Sequence, residues 1–141
     1  MLTYSGQRER TGRAGEDAAA DHVTRLGWKI LARNWRHRQL ELDLICRESG
    51  TVVFVEVKTR AADGMTRPDE ALTPAKQARL VRAATAWLDK NGAWDCPCRF
   101  DLASVVVQNG VFSVELVNNV IEFDPGRGNA VGGRHSAWQP W

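Results

Sequence analysis

Cysteine is scarce in this 141-residue chain, and the three present, Cys46, Cys96 and Cys98, fit no framework. An odd count without regular spacing is not a disulfide scaffold. Cys96-Pro97-Cys98 lacks the two-residue spacing of zinc knuckles and redox motifs, and no His pair lies beside it. The expectation is three ordinary reduced thiols. Long apolar runs are missing too. Nothing approaches the roughly 20 consecutive residues of a membrane span. Met1 to Arg13 is polar and basic, with no apolar segment of the secretory type. The chain therefore reads as cytoplasmic, with no membrane partner. No internal repeat is visible. A strong charge of either sign is also absent, since 19 basic and 17 acidic residues leave a formal +2. Lysine is rare among the bases, with 4 Lys against 15 Arg. Arginine suits bidentate phosphate contacts, although high-GC coding gives the same bias.

What is present is an ordinary globular balance, 43% hydrophobic and 26% charged, which excludes wholesale disorder. The length suits one domain. Charge is unevenly placed along it. Residues 1–40 carry net +4, 41–70 net −3, 71–90 net +3 and 91–141 net −2. An acidic middle is thus flanked by two basic segments.

The hydrophobic pattern predicts a helix from about Gly12 to Leu26, with Ala19, Ala20, Val23 and Leu26 on its apolar face and Gly27 as its stop. Glu16 lies one turn before Ala20, on that same face. Trp28 to Trp35 alternates like a strand. Leu40 to Arg47 follows, with Leu40, Leu42, Leu44 and Cys46 expected on one side and Glu41, Asp43 and Ile45 on the other. After the Ser49-Gly50 turn signal, Thr51 to Thr59 is β-branched and apolar, the mark of a buried strand. Arg60 to Asp69 reads as a polar loop. Thr73-Pro74 supplies an N-cap and a first-turn proline, so a second helix runs from there to about Lys90 and stops near Asn91-Gly92. Its apolar face is Leu80, Val81, Ala84, Trp87 and Leu88. Phe100 to Val107 and Val111 to Val117 pair around Asn109-Gly110. The order α-β-β-β-α-β-β predicts an α/β fold, a mixed central β-sheet flanked by helices. Residues 1–11 are expected as a flexible lead, 12–123 as the folded domain and 124–141 as a Gly-rich flexible tail.

If Ser49-Gly50 closes a two-residue hairpin, Glu48 pairs with Thr51, and counting back along the ladder puts Asp43 opposite Glu56. Opposed Cβ atoms lie roughly 4.5–5.5 Å apart. Two carboxylates that close, beside Val53, Val55 and Val57, repel one another and resist desolvation. They need a positive partner. Lys58 shares the face of Glu56. A divalent cation fits better, since Mg²⁺ favours one or two carboxylates plus waters and phosphate oxygens. Asp43, Glu56 and the backbone carbonyl of Val57 are the expected metal ligands. Lys58 would position or deprotonate a water, or steady developing negative charge. Glu16 would reach the same cluster from the first helix. Taken singly, a Glu-x-Lys on a strand is a common surface ion pair. The conjunction with Asp43, Glu16 and a following basic helix carries the signal.

Gly15-Glu16, Glu41-Leu42-Asp43-Leu44-Ile45, the run Val53 to Arg60 and Leu72-Thr73-Pro74-Ala75-Lys76-Gln77 together resemble the YraN-like family of small bacterial proteins. The resemblance covers about residues 10–123. It implies a restriction-endonuclease-like, nuclease-like core similar to archaeal Holliday-junction resolvases, with Glu16, Asp43, Glu56 and Lys58 as site residues. By the same resemblance, Gln77 is the polar residue on the following helix that supports the site. Leu40 departs from the family pattern, which has Gly there, and Leu42 replaces its Ile. Resolvases act as symmetric dimers on two-stranded substrates, so the analogy implies a homodimer.

The basic flanks suit a nucleic-acid partner, DNA first. Arg33, Arg36, His37 and Arg38 cluster about Trp35, the best base-stacking candidate, while Trp28 and Trp87 belong in the core. Lys76, Arg79 and Arg82 recur at helical spacing, and Arg60 follows Lys58 closely. Asp101 reads as structural. His22 and His135 have no partner pattern, and Trp138 and Trp141 could dock on a partner. The expectation is a Mg²⁺- or Mn²⁺-dependent endonuclease acting on DNA, branched or single-stranded. The competing readings are a non-catalytic nucleic-acid-binding or complex-assembly module and a nuclease for structured RNA.

Overall fold

The computed structural model describes residues 4–62 and 72–122, with side chains from residue 12 onward. The tail expected over 124–141, with His135, Trp138 and Trp141, lies outside the described residues, as does most of the Arg60 to Asp69 loop.

Among the described residues, seven elements follow in the expected order: α1 (Tyr4–Arg25), β1 (Lys29–His37), β2 (Leu40–Glu48), β3 (Thr51–Ala61), α2 (Pro74–Asn91), β4 (Cys98–Gln108) and β5 (Val111–Ile121). They build one mixed five-stranded sheet in the spatial order β1-β2-β3-β4-β5. Neighbours pair antiparallel except β3 and β4, which run parallel because α2 carries the chain back between them. Helix α1 covers one face of the sheet and α2 the other.

Local chemistry explains the boundaries. Thr73 caps α2, its hydroxyl accepting from the Lys76 amide at 3.2 Å, and Pro74 supplies a helical φ at the first position. Gly92 ends α2 at φ 59°, the left-handed conformation that costs glycine least. Asn109 and Gly110, both at positive φ (52° and 76°), form the tight turn that joins β4 to β5. Helix α1 starts at Tyr4, ahead of the expected Gly12. The run Gln7-Arg8-Glu9-Arg10 consists of good helix formers, and Gly12 does not break it.

The core has two parts, one under each helix. Ala19, Ala20 and Val23 of α1 pack with Trp28 onto Leu44, Cys46, Val53, Val55, Ala103 and Val105. Leu80, Val81, Ala84, Trp87 and Leu88 of α2, the whole expected apolar face, pack onto Ile45, Val52, Phe54 and Phe100. Phe54 meets the Trp87 ring edge-on at 5.9 Å. Leu26, expected on the buried face of α1, is 54% exposed, because the helix has ended at the Gly27 turn. Cys46 is a fully buried thiol. Burial, and then the charge of Asp101, push its pKa up to about 12, so it has no thiolate character.

One expectation about β2 fails in an informative way. Leu44 and Cys46 pack toward α1, but Leu40 and Leu42 pack toward α2. The four do not share a face. The change falls at Asp43, where β2 stops pairing with β3.

Candidate functional site

Strands β2 and β3 pair from Glu48↔Thr51 to Leu44↔Val55, the register that the two-residue turn dictates. Beyond that point β2 stays with β1 as far as His37↔Leu40, and β3 stays with β4 to Ala61↔Val107. The sheet therefore forks at Asp43. A fork leaves backbone donors of β3 without a strand partner, and one of them is satisfied locally: the Val57 N–H donates to Asp43 Oδ2 at 2.8 Å. The carboxyl of Asp43 replaces a backbone carbonyl and is held beside Glu56, its neighbour across the fork.

Both helices close on this fork. Gly15 of α1 lies against Thr59 so tightly that a Cβ there would stand 2.9 Å from the Thr59 Cβ and on top of its hydroxyl. That approach sets the next residue, Glu16, at the edge of the fork. From the opposite face, the first two turns of α2 bring Lys76, Arg79 and Leu80. The result is a cavity of about 380 Å³ whose walls include Glu16, Asp43, Glu56 and Val57 on one side and Lys76 and Arg79 on the other. Leu40, Gln39 and Glu41 line its outer rim.

Electrostatics separate this site from the rest of the fold. Glu56 is 8% exposed, and its Oε2 is 2.7 Å from Lys76 Nζ. Burial pushes the Asp43 carboxyl up to about 8, helped by its hydrogen bond with Glu56 and by the negative charge of Glu56, against the pull of the Val57 N–H. Asp101 offers the contrast. It is fully buried, yet both its oxygens are satisfied: Arg99 Nε donates to each (3.0 and 3.1 Å), Asn118 Nδ2 at 2.8 Å and the Asn119 N–H at 3.0 Å. Arg99 in turn reaches Glu48 at 2.8 Å and lies over Trp28 at 5.4 Å. Asp101 is thus a structural acid, as the sequence suggests. Asp43 and Glu56 instead lie against each other on the wall of an open cavity, an arrangement that weakens a fold and suits a positively charged ligand.

The other sequence candidates fall in different places. Lys58 is half-buried on β3, in register with Ser104 of β4, one step outward from Glu56. Lys76, expected from sequence at a phosphate contact, makes an ion pair with Glu56. The available signal is positional: a lysine in the first turn of a helix opposes the helix dipole and needs an acid nearby. Gln77 donates to the Leu72 carbonyl at 2.9 Å and so braces the entry to α2. Arg33 is paired with Asp17 of α1 at 2.6 Å, and Arg36 with Glu41 at 3.3 Å. Arg38 occupies the β1–β2 turn at φ 58°, and Arg60, Arg79 and Arg82 are exposed. Trp35 is half-buried against the α2-side core and stacks on His37 with centroids 5.9 Å apart.

The donor set suits a hard divalent ion. Asp43 and Glu56 offer carboxylate oxygens, Val57 lines the same wall, and Glu16 lies at its edge. Among the described residues, no three His, Cys, Asp or Glu side chains already stand close enough to hold a metal. A two-carboxylate site completed by water and substrate oxygens is what the residues allow.

Comparison with known sequences gives a consistent family. Residues 15–105 match the profile described as "Uncharacterised protein family UPF0102". A UPF0102 protein of Nitratidesulfovibrio vulgaris (strain DP4) is 48% identical over 134 residues, which is 95% of this chain and 97% of that protein. A UPF0102 protein of Lawsonia intracellularis is 38% identical over 130 residues, 92% of this chain and 96% of the relative. One from Symbiobacterium thermophilum is 50% identical over 96 residues, 68% of this chain and 81% of the relative. The matched span includes Glu16, Asp43, Glu56, Lys58 and Lys76.

Proposed function

The chain belongs to the UPF0102 family, and on that premise we propose that it is a divalent-metal-dependent endonuclease that hydrolyses phosphodiester bonds in DNA. One observation carries the reading. A carboxyl pair, half-buried Asp43 and buried Glu56, is held at a fork in the sheet and opens into a cavity that also has Lys76 and Arg79 on its wall. The α-β-β-β-α-β-β order and the Glu16, Asp43, Glu56, Lys58 set support it through the resemblance to restriction-endonuclease-like resolvases.

In this reading Asp43 and Glu56, with the carbonyl of Val57, hold Mg²⁺ or Mn²⁺. When bound, the ion supplies Lewis-acid polarisation of the scissile phosphate and lowers the pKa of a coordinated water. The chain's own groups do the rest. The Val57 N–H fixes the orientation of the Asp43 carboxylate. Glu16 orients water at the edge of the fork. Lys58 steadies negative charge as it develops on the phosphate. Arg79, at the mouth, binds a flanking phosphate, and exposed Arg82 and Arg60 extend that contact along the backbone.

The test is a cleavage panel of linear, single-stranded, flapped and four-way DNA, with structured RNA as a competitor, in Mg²⁺ or Mn²⁺. Wild type should cut at least one DNA substrate. Lys58→Ala should abolish cutting while melting as wild type does. Full cleavage by that variant, or no cleavage of any DNA by wild type, overturns the assignment. The second reading, a non-catalytic nucleic-acid-binding module, draws support from Lys76, which neutralises Glu56 without a metal. It is distinguished by calorimetric titration with Mg²⁺, where it requires no binding even when DNA is present.

A further inference from the structure

Lys76 stands where the chemistry of this site least needs a lysine. It lies in the first turn of α2, a turn that holds no acidic residue and where the helix already presents its positive end. Its backbone is anchored twice. Its own N–H is held by the Thr73 hydroxyl, and the next residue, Gln77, is tied to the chain before the helix through Leu72 and Thr73. From that fixed base the side chain reaches back across the fork to Glu56 at 2.7 Å. The pair is largely withdrawn from water, with side-chain exposures of 29% for Lys76 and 10% for Glu56. A pair that withdrawn forms only because an unpaired buried carboxylate is worse. The same carboxylate is an expected metal ligand.

We propose that Lys76 is a tethered counter-cation that stands in for the divalent ion at Glu56, and that metal entry displaces its ammonium toward the substrate phosphate. The inference rests on the metal-dependent reading of the cavity and adds a regulation to it. An ammonium and a divalent ion held on the same carboxylate repel each other. The lysine therefore competes with the metal until a phosphate offers it a second partner. Arg79, one turn further along α2, lines the same cavity. Metal and nucleic acid then bind with positive coupling, each raising the affinity for the other.

The experiment uses the full chain and Mn²⁺ as the probe, without nucleic acid. Calorimetry compares wild type with Lys76→Met, Lys76→Arg and Glu56→Gln. Removing the competing charge should tighten Mn²⁺ binding of Lys76→Met about tenfold or more. Lys76→Arg, which keeps the ion pair, should bind Mn²⁺ no more tightly than wild type. Glu56→Gln should not bind it. Lys76→Met should melt below wild type in EDTA and gain more than wild type from Mn²⁺. With Ca²⁺ present, the salt dependence of duplex binding should steepen by about one phosphate contact in wild type but not in Lys76→Met. Unchanged Mn²⁺ affinity in Lys76→Met, or tighter binding by Lys76→Arg, overturns the counter-cation role and leaves the metal site standing. No Mn²⁺ binding by wild type and Lys76→Met alike overturns both together.

Discussion

The Asp43 carboxyl makes a quantitative prediction about the metal-free protein. Burial and the neighbouring Glu56 raise it from its usual 3.8 to about 8. The folded state therefore holds a proton that the unfolded chain releases over that interval. Its contribution to stability is present at low pH and lost as pH rises from about 4 to about 8. At about 1.4 kcal/mol per unit, three units between pH 5 and pH 8 set a ceiling near ~4 kcal/mol. Asp43 lies on the wall of an open cavity, where solvent reduces this to about 2 kcal/mol. Asn is the informative substitution. Its carbonyl can still accept from the Val57 N–H, its amide can donate to Glu56, and it does not titrate. In EDTA, Asp43→Asn should equal wild type near pH 5 and melt higher at pH 8, by about 8 °C for a chain of this size. Mg²⁺ should raise the melting temperature of wild type at pH 8 and leave the variant unmoved. Circular-dichroism melts over pH 5–8 read all three effects. Parallel pH curves for the two proteins would refute the claim that Asp43 folds as an acid next to Glu56.

Two further predictions concern the parts that build the fork. Gly15→Ala should destabilise by roughly 1–3 kcal/mol, because its Cβ would meet Thr59. It should also lower cleavage more than stability explains, since Glu16 moves with the helix. Adding Thr59→Ala should recover part of both, which paired melts and cleavage rates would check. On β4, Asp101→Ala should cost about 3–5 kcal/mol, because Arg99, Asn118 and the Asn119 N–H all lose their acceptor. The Mg²⁺ affinity of the folded fraction should not change. Denaturant melts combined with calorimetry separate those outcomes.

Much of this was legible in one dimension because it depends on neighbours in sequence. Thr73-Pro74 starts a helix through local hydrogen bonding and a fixed φ, whatever it packs against. Ser49-Gly50 is so short that it leaves one antiparallel register for β2 and β3, and that register brings Asp43 to Glu56. Glu16 falls on the cavity wall because helical periodicity places it one turn from Ala20 on an apolar face. Leu26 misled because the periodic pattern runs on past the point where Gly27 turns the chain.

The element order, the β2–β3 register and the acids that meet at the fork follow from turns, caps and side-chain alternation, which act over a few residues. Long-range packing decided that β2 leaves β3 at Asp43, so that Leu40 and Leu42 face α2 while Leu44 and Cys46 face α1. It also decided which cation meets Glu56. Lys76 comes from another element and pairs with Glu56. That choice depends on how α2 crosses the sheet, a long-range packing outcome of Trp87, Leu88 and Val81 against Phe54 and Ile45 that no local pattern encodes.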